Sequence, residues 1–378
     1  MIFFHPLSLF PILAFKLIMT TPLQKTVEIS DGKTEIWNDS CSVEELNYSL
    51  KSCSCTGATN NPVIVGNVLK KEFDLWEDRI KEIIMQNPDF SEVDVTWQLI
   101  HEMTQKGAEI LKPVFDRENG LKGRISVQTN PKNWRNTKKM WEQAVVFDKL
   151  APNIIVKIPV TKAGVKAIEE ATYRGVNINA TVCFSVPQCL AVGEAVKRGL
   201  ERREAEGKDT SKMTPVCTLM VGRQDDWLKV IANKKGAITN PCYLEWAGVA
   251  AIKKAYKIFN ERGYKTKLLA AAYRNHLHWS ELIGGNVILT MPHKWQVRFN
   301  NSSVEVKKRI DDPVDQAIID GLYEAFPIEW RKGYDADGMK IEEFDQYGAA
   351  QRTLRGFIEG YDDLVAWIRD IMIPNPDI

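Results

Sequence analysis

The sequence predicts an α/β protein: a single (β/α)8 (TIM) barrel with additional helices and a C-terminal helix packed over the barrel. Short apolar runs typical of buried strands alternate with amphipathic helical segments about eight times along the chain, as in proteins with a parallel sheet. No Gly-x-Gly-x-x-Gly follows the first run, and no Walker A lysine motif occurs. The lack of these phosphate-binding motifs weakens the open-sheet nucleotide-binding folds and favours a sheet closed into a barrel.

Each predicted strand is a short run of β-branched and apolar residues, the pattern of a strand buried on both faces. The eight runs lie near residues 34–38, 55–60, 124–128, 153–158, 176–182, 214–220, 267–272 and 286–290. A parallel barrel places the carboxyl ends of all its strands at one face, and the chemistry of such barrels is located there.

The segments between the strands carry apolar residues at helical spacing and predict crossover helices. The clearest ones span residues 162–174, 186–206 and 244–262. Residues 70–118 are also helical but long for one crossover, so we expect extra helices there. After residue 300 no strand is predicted. Two final helices are expected at residues 312–326 and 341–371, and the second should pack across the barrel and cover its mouth.

The bulk composition is that of a globular protein with a large core. The 378 residues are 44% hydrophobic and 26% charged, and 50 basic residues balance 49 acidic ones to a net charge of +1. A nucleic-acid partner would require a basic surplus or a basic stripe, so none is expected. The oligomeric state is left open, with a homo-oligomer as one alternative.

The N-terminal residues 1–19 are almost wholly apolar, with His5, Pro6, Pro11 and Lys16 among the interruptions. They lack the basic start and the small-residue cleavage site of a secretory signal, and two prolines argue against a membrane helix. We interpret residues 1–18 as an extension, from either a wrong start codon or a targeting segment. Residues 19–378 are then a single cytoplasmic domain with no membrane partner.

The seven cysteines include no Cys-x-x-Cys pair. They are Cys41, Cys53, Cys55, Cys183, Cys189, Cys217 and Cys242. Their number is odd, and the Cys53-Ser54-Cys55 pair is too tight for half of a zinc site. We expect free, buried thiols in a reducing cytosol and no bound metal.

Lys157 is the most informative single residue, because it stands in the middle of the apolar run 153–161. An ammonium inside a buried strand must be paired or give up its charge, and desolvation lowers the pKa of a lysine. A neutral amine attacks carbonyl carbons to form a Schiff base. The structural alternative is a lysine whose head reaches solvent at the end of the strand.

Polar side chains follow most of the predicted strands, where the barrel would bring them together. Along the chain they are Asp39, Thr59, Asn61, Gln128, Lys157, Asn179, Thr181, Arg223, Arg274 and Asn275. Most of them also have a structural interpretation. Asp39 could be a helix N-cap, in competition with Ser40 and Ser42, and Asn61 could begin a helix at Pro62.

Two further pairs of candidate site residues could have purely structural roles. Asn179 and Thr181 alternate to one face of their strand, so both could simply fill a layer of the barrel interior. Arg223 and Arg274 could be surface ion-pair residues, and exposed pairs contribute only about 0–1 kcal/mol to stability.

Five segments of the chain resemble the transaldolase family, in the same order and over roughly residues 34–371. They are residues 56–62 (TGATNNP), 155–159 (IVKIP), 177–185 (NINATVCFS), 221–223 (VGR) and 270–275 (AAAYRN). The second resembles the Schiff-base lysine strand of that family, and the last two resemble its phosphate-site segments. The resemblance implies a class I, metal-free transferase that acts on sugar phosphates in the pentose phosphate pathway.

The resemblance also implies roles for the strand-end residues. Lys157 would form an imine with the ketone of a ketose phosphate such as sedoheptulose 7-phosphate or fructose 6-phosphate, and Asp39 would move protons. The dihydroxyacetone unit left on the lysine would pass to an aldose phosphate. The other predicted contacts are Thr59, Asn61 and Asn179 to the substrate, Thr181 to a catalytic water, and Arg223 and Arg274 to the phosphate.

The sequence departs from the common transaldolase pattern at four positions. Gln128 stands where a glutamate usually helps to activate the catalytic water, and it resembles the fructose-6-phosphate aldolase subgroup. That subgroup has a tyrosine on the sixth strand at the position of Met220, where the usual transaldolase has phenylalanine. Ala272 replaces a serine of the phosphate site, and Asn60 stands in place of a threonine. We therefore expect an altered acid–base relay.

These departures keep three functions open. The first is a transaldolase. The second is an aldolase of the same fold that releases free dihydroxyacetone, and product analysis with and without an aldose phosphate distinguishes it from the first. The third is a catalytically impaired sugar-phosphate-binding protein, which would bind the sugar without forming a reducible imine. The length of the chain and its C-terminal helix favour transfer.

Overall fold

A computed structural model describes residues 20–377 of the chain. The extension predicted at residues 1–18 lies outside this range. The interpretation of residues 19–378 as one domain stays a prediction.

Eight parallel strands form a closed barrel in the order in which they occur along the chain, and β8 pairs with β1 to complete it. The strands are β1 (Glu35–Asn38), β2 (Gly57–Ala58), β3 (Arg124–Gln128), β4 (Ile154–Pro159), β5 (Ile178–Cys183), β6 (Val216–Leu219), β7 (Lys267–Ala270) and β8 (Val287–Met291). The predicted (β/α)8 barrel is confirmed, and each strand lies within or beside its predicted run.

Fifteen α-helices accompany the strands in the described part of the chain. They are α1 (Pro22–Ile29), α2 (Val43–Cys53), α3 (Pro62–Lys71), α4 (Phe73–Gln86), α5 (Glu92–Arg117), α6 (Thr137–Phe147), α7 (Lys162–Tyr173), α8 (Val186–Ala205), α9 (Val221–Lys235), α10 (Pro241–Glu261), α11 (Leu277–Ser280), α12 (His293–Asn300), α13 (Gln316–Ala325), α14 (Pro327–Tyr334) and α15 (Gly348–Met372). Two 3₁₀ helices lie at Pro131–Asn133 and Ile341–Gln346. Helices α4 and α5 are the extra helices expected between residues 70 and 118.

The last predicted helix is interrupted, which corrects the expectation for residues 341–371. Its acidic first part is the 3₁₀ helix, and α15 begins only at Gly348. Between them Tyr347 is extended and fully buried, and its hydroxyl donates to Gln224 at 2.8 Å. A Cβ on Gly348 would lie 2.1 Å from the Trp227 ring. The close approach of the chain to α9 therefore breaks the helix.

Helix α15 packs against α3 and α5 and also contacts β5, as expected for a helix across the barrel. Trp97 of α5 donates its indole N–H to the hydroxyl of Tyr361 at 3.2 Å. Gly360 of α15 lies close to Val63 at the start of α3, because a Cβ on Gly360 would be 2.4 Å from Val63 Cγ2. These contacts hold α15 across the carboxyl ends of the first strands.

An apolar layer fills the middle of the barrel. Its residues come from β1, β4, β6, β7 and β8, or directly follow one of them, and are Trp37, Ile155, Val216, Leu269, Ala271 and Ile288. Gly57 of β2 leaves room for the Trp37 ring, because a Cβ at that glycine would lie 2.5 Å from it. This layer separates the two ends of the barrel interior.

All seven cysteines are free thiols, as expected, and six of them are buried. Cys242, at the start of α10, is exposed and is the exception. Among the described residues, no helix is long and apolar enough to span a membrane.

Candidate active site

Lys157 projects from β4 into the barrel with neighbours from both adjacent strands. Gln128 of β3 and Asn179 of β5 are its partners in the parallel ladder. The lysine is only 4% exposed, and its Nζ donates to the backbone carbonyl of Asn60 at 3.1 Å. The alternative of an amine that reaches bulk solvent is therefore wrong.

Burial lowers the pKa of Lys157 to about 8. The carboxylate of Asp39 opposes this effect, and the guanidinium of Arg223 adds to it. At such a pKa roughly a tenth of the amines are neutral at pH 7, far more than for a free lysine. Lys157 is therefore suited to attack a carbonyl carbon.

Asp39 follows β1 and is held by Thr59, which in turn contacts Thr290. Its Oδ1 accepts a hydrogen bond from Thr59 Oγ1 at 2.6 Å, and that hydroxyl also lies 2.6 Å from Thr290 Oγ1. Burial raises the pKa of Asp39, while Lys157, the Thr59 hydroxyl and Arg223 partly offset the rise. The N-cap of α2 is Ser42, so the alternative role of Asp39 as a helix cap is wrong.

Asn61 both borders the Lys157 cavity, as predicted, and caps helix α3, which was its structural alternative. Its Oδ1 caps α3 by accepting from the backbone N–H of Ile64 at 3.0 Å. Pro62 stands at the first position of that helix, where a missing N–H has no consequence. The capping bond fixes the Asn61 side chain at the edge of the Lys157 cavity.

A polar network lies beside Lys157 inside the barrel. Asn179 Nδ2 donates to Ser126 Oγ at 3.1 Å, and Asn179 Oδ1 accepts from Thr218 Oγ1 at 2.6 Å. The oxygens Gln128 Oε1 and Thr181 Oγ1 are buried and have no hydrogen-bond partner among the described residues. Buried oxygens of this kind are suited to bind a water molecule.

One cavity of about 220 Å³ joins five of the predicted site residues. Its wall includes Asp39, Asn61, Lys157, Arg223 and Arg274. Thr59, Gln128, Asn179 and Thr181 are fully or almost fully buried and do not line this cavity. Thr59 bonds to Asp39, and Asn179 bonds to Thr218, which both line it. Asn275 instead forms a turn, accepting from the N–H of Leu277 at 2.9 Å.

The two predicted phosphate-site arginines differ in their partners. Arg223, at the start of α9, donates to Thr353 Oγ1 of α15 at 3.2 Å and forms no ion pair with the described carboxylates. Burial, and then the proximity of Arg274, lower its pKa. Arg274 instead makes an ion pair with Asp226 through Nε and Nη2, with Nη2 at 2.7 Å. The ion-pair alternative thus holds for Arg274 but not for Arg223.

Several site residues were missed by the sequence interpretation. Arg352 of α15 borders a second cavity of about 240 Å³ together with Arg223 and Arg274. Arg352 is in a helix far along the chain, so no strand-end pattern marks it. Tyr273 and Thr218 line the Lys157 cavity. The sequence could have indicated both, because Tyr273 directly precedes Arg274 and Thr218 lies in the predicted sixth strand.

Tyr273 is 2% exposed, and its hydroxyl has no hydrogen-bond partner among the described residues. Burial raises its pKa well above the usual range, and the nearby Asp39 carboxylate adds to this effect. The phenol therefore stays protonated and can donate a hydrogen bond toward the site.

A buried histidine supports the loop that carries Arg274. His278 Nδ1 accepts from the backbone N–H of Arg274 at 3.0 Å, and its Nε2 lies 2.8 Å from Asp225 Oδ2. Since Nδ1 acts as an acceptor, the ring proton belongs on Nε2 and points at Asp225. Asp225 in turn accepts from the N–H of Gly248 at 2.8 Å. This chain of bonds anchors the loop to α9 and α10.

Comparison with known proteins gives a consistent result. Residues 36–343 match the family model described as Transaldolase/Fructose-6-phosphate aldolase. A transaldolase of Mycobacterium ulcerans (strain Agy99) is 27% identical over 295 residues, which cover 70% of this chain and 78% of the relative. A transaldolase of Mycobacterium tuberculosis (strain ATCC 25618 / H37Rv) is 26% identical over 360 residues, or 88% of this chain and 89% of the relative.

Proposed function

The chain belongs to the Transaldolase/Fructose-6-phosphate aldolase family, and from this premise we propose that it is a transaldolase. It transfers a dihydroxyacetone unit from a ketose phosphate, such as sedoheptulose 7-phosphate or fructose 6-phosphate, to an aldose phosphate. The observation that carries the proposal is the buried amine of Lys157, with a lowered pKa, in one cavity with Asp39 and two arginines. The enzyme serves the pentose phosphate pathway in the cytoplasm.

The reaction begins when the neutral amine of Lys157 attacks the ketone carbon C2 of the donor sugar. The carbinolamine loses water to give a protonated imine, which is bonded to the enzyme through Nζ. The carbonyl of Asn60, which accepts a hydrogen bond from Nζ at 3.1 Å, directs the amine before the attack. Burial supplies the nucleophile by keeping a share of the amine uncharged.

Asp39 is the general base of the bond-breaking step. It takes the proton from the C4 hydroxyl, and the C3–C4 bond breaks to release an aldose phosphate. The electron pair moves toward the protonated imine, which acts as the electron sink. The raised pKa of Asp39 brings its carboxyl closer to the operating pH, where a group can both accept and return a proton. Thr59 holds the carboxylate in place.

Gln128 and Thr181 hold the water that carries protons during imine formation and hydrolysis. Their buried, unpartnered oxygens can each accept one of its hydrogens. Gln128 cannot remove a proton as a glutamate would, so Asp39 supplies the base and the amide only orients the water. Asn179 is held by Ser126 and Thr218 and completes the polar wall beside the imine.

Arg223 is the principal phosphate ligand, because its charge lies in the cavity without a carboxylate partner among the described residues. A guanidinium matches the phosphate oxygens with two parallel N–H bonds. Arg352 and Arg274 border the second cavity together with Arg223. Arg274 also attracts the phosphate, but more weakly, because its charge is partly neutralised by the ion pair with Asp226.

Borohydride reduction in the presence of fructose 6-phosphate tests the proposal. We expect mass spectrometry to find a three-carbon adduct on Lys157, formed faster as the pH rises through about 8, and none in Lys157→Met. Adding an aldose phosphate before the borohydride should remove the adduct. A protein that binds the sugar and yields no adduct at any pH would contradict both transfer and aldol cleavage.

Product analysis separates transfer from aldol cleavage. A transaldolase forms new ketose phosphate only when an aldose phosphate is present, and little free dihydroxyacetone otherwise. Release of dihydroxyacetone at full rate without acceptor would reject the transferase assignment while leaving the Schiff base intact.

A further inference from the structure

A cavity of about 220 Å³ opens at the end of the barrel opposite to Lys157. Its wall contains the first residues of four strands: Glu35 of β1, Arg124 of β3, Val216 of β6 and Lys267 of β7. The apolar layer that includes Trp37 lies between this basal cavity and the Lys157 site. The basal cavity is thus separate from the proposed catalytic site.

Positive charge dominates the wall of the basal cavity. Its cations are Lys122, Arg124, Lys265 and Lys267, and its single carboxylate is Glu35. Glu35 is already engaged, because Lys267 Nζ lies 2.5 Å from Oε1 and Thr56 Oγ1 donates to Oε2 at 2.7 Å. The wall therefore carries a net charge of +3 (four cations less one carboxylate), although the whole chain carries only +1.

The three other cations form no ion pair among the described residues. Lys122 donates to the carbonyl of Gly32 at 3.2 Å, and Lys265 donates to the carbonyl of Thr210. Each lysine has three N–H bonds and uses one of them here, so both can also bind a ligand. Lys265 is exposed and Lys122 half-buried, which lets their side chains move toward the cavity.

Arg124 adds a fixed, buried charge at the same place. It is 4% exposed, and its N–H groups bond to Thr214 Oγ1 and to four backbone carbonyls, those of Gly120, Pro152, Ile154 and Lys212. Burial lowers its pKa to about 10. A buried cation without a bound carboxylate is costly, and an anion nearby would offset that cost.

The remaining wall is apolar and aromatic. It includes Trp37, Leu121, Met213, Val216 and Ile288. A sugar would leave its hydroxyls unpaired against these side chains, whereas an aromatic or branched aliphatic group would bury apolar area there. We propose that the basal cavity binds a small amphipathic anion, with an apolar body against Trp37 and Ile288 and a carboxylate or phosphate between Lys122 and Lys265.

Calorimetric titration with benzoate tests the proposal. The titration uses Arg223→Ala/Arg274→Ala as the background, so that the phosphate site at the other end cannot contribute. We expect one benzoate per chain, with much weaker binding of benzamide, which lacks the charge, and of acetate, which lacks the apolar body. Adding Lys122→Glu/Lys265→Glu should weaken benzoate binding on the order of tenfold or more, as expected when two charges near the anion are reversed.

The matched control is Lys138→Glu/Lys197→Glu in the same background. It makes the same change in net charge at exposed positions on α6 and α8, where each side chain is more than half exposed, and it should leave benzoate binding unchanged. The proposal is wrong if benzoate does not bind, if benzamide binds as well, or if the two charge-reversed proteins behave alike. In an otherwise wild-type protein, Lys122→Glu/Lys265→Glu should still give the borohydride adduct on Lys157, so the two proposals fail independently.

Discussion

At the scale of single residues, the proposed chemistry depends on the burial of the Lys157 amine in the barrel interior and on its lowered pKa. Lys157 is surrounded by the polar side chains of adjacent strands, yet among residues 20–377 its Nζ forms a single hydrogen bond, to Asn60. Its burial was predictable from the apolar run around it. Its partner was not, because the carbonyl of Asn60 comes from a segment 97 residues earlier in the chain.

The buried amine should reduce the stability of the fold at neutral pH. Lowering its pKa from 10.5 to about 8 corresponds to about 3 kcal/mol. The native state binds this proton less well than the unfolded chain, so the penalty is complete below pH 8 and disappears as the pH rises toward 10.5. We expect urea unfolding to show Lys157→Met more stable than the wild type at pH 7, by up to about 3 kcal/mol.

The difference between the two proteins should shrink between pH 8 and pH 10. A Met variant that is less stable at pH 7 would mean that the Asn60 bond and the attraction to Asp39 outweigh the desolvation of the amine. Circular dichroism checks that both proteins retain the same secondary structure.

At the scale of secondary-structure elements, the junction between α9 and the loop after β7 carries Arg223 and Arg274, the proposed phosphate ligands. Gly222, the second residue of α9, lies beneath this loop. A Cβ on it would lie 1.9 Å from the carbonyl oxygen of Ala272 and 2.7 Å from Arg274 Cγ. Ala272 itself has a positive φ of 66°, which ends β7 two residues before the predicted limit of 272. The sequence motifs indicated both segments, 221–223 and 270–275, but they did not predict that the two segments are in contact.

Gly222→Ala should therefore weaken the binding of sugar phosphates. The added methyl group pushes the loop away from α9 and moves Arg274 relative to Arg223. We expect KM for the ketose phosphate to rise about tenfold with a smaller change in kcat, and the stability to fall by about 1–3 kcal/mol. Steady-state kinetics and urea unfolding measure the two effects.

Gly356→Ala on α15 is the matched control, because a Cβ there meets no atom within 4 Å. It should raise the stability by about 0.5–1 kcal/mol and leave KM unchanged. Equal values of KM for Gly222→Ala and the wild type would show that the loop does not need this contact to position Arg274.

At the scale of the whole molecule, α15 closes the barrel over the Lys157 cavity. Phe357 is 1% exposed, lines that cavity and lies 5.4 Å from the guanidinium of Arg223. Thr353 of the same helix accepts from Arg223. In the proposed mechanism, a closed site would keep water away from the covalent intermediate until an acceptor sugar arrives and would favour transfer over release.

Phe357→Leu should shift the reaction from transfer toward release. The smaller side chain admits water to the imine on Lys157, so hydrolysis frees more dihydroxyacetone per transfer. We expect the ratio of free dihydroxyacetone to new ketose phosphate to increase several-fold at a fixed acceptor concentration. Phe344→Leu is the control, since Phe344 is equally buried and does not line the cavity. A similar ratio in both variants would show that Phe357 of α15 does not control whether the intermediate is transferred or hydrolysed.

The sequence by itself determined the strand–helix order, the place of each strand, and the motifs that carry Lys157, Asp39 and the two arginines. These features depend on local periodicity and on residue types at strand ends, which a single chain displays directly. Only the tertiary structure decided which groups meet: Arg274 pairs with Asp226, Arg352 comes from a distant helix, and α15 starts after a buried tyrosine. It also created the basic cavity at the opposite end of the barrel. Such contacts join residues far apart in sequence and exist only once the barrel has closed.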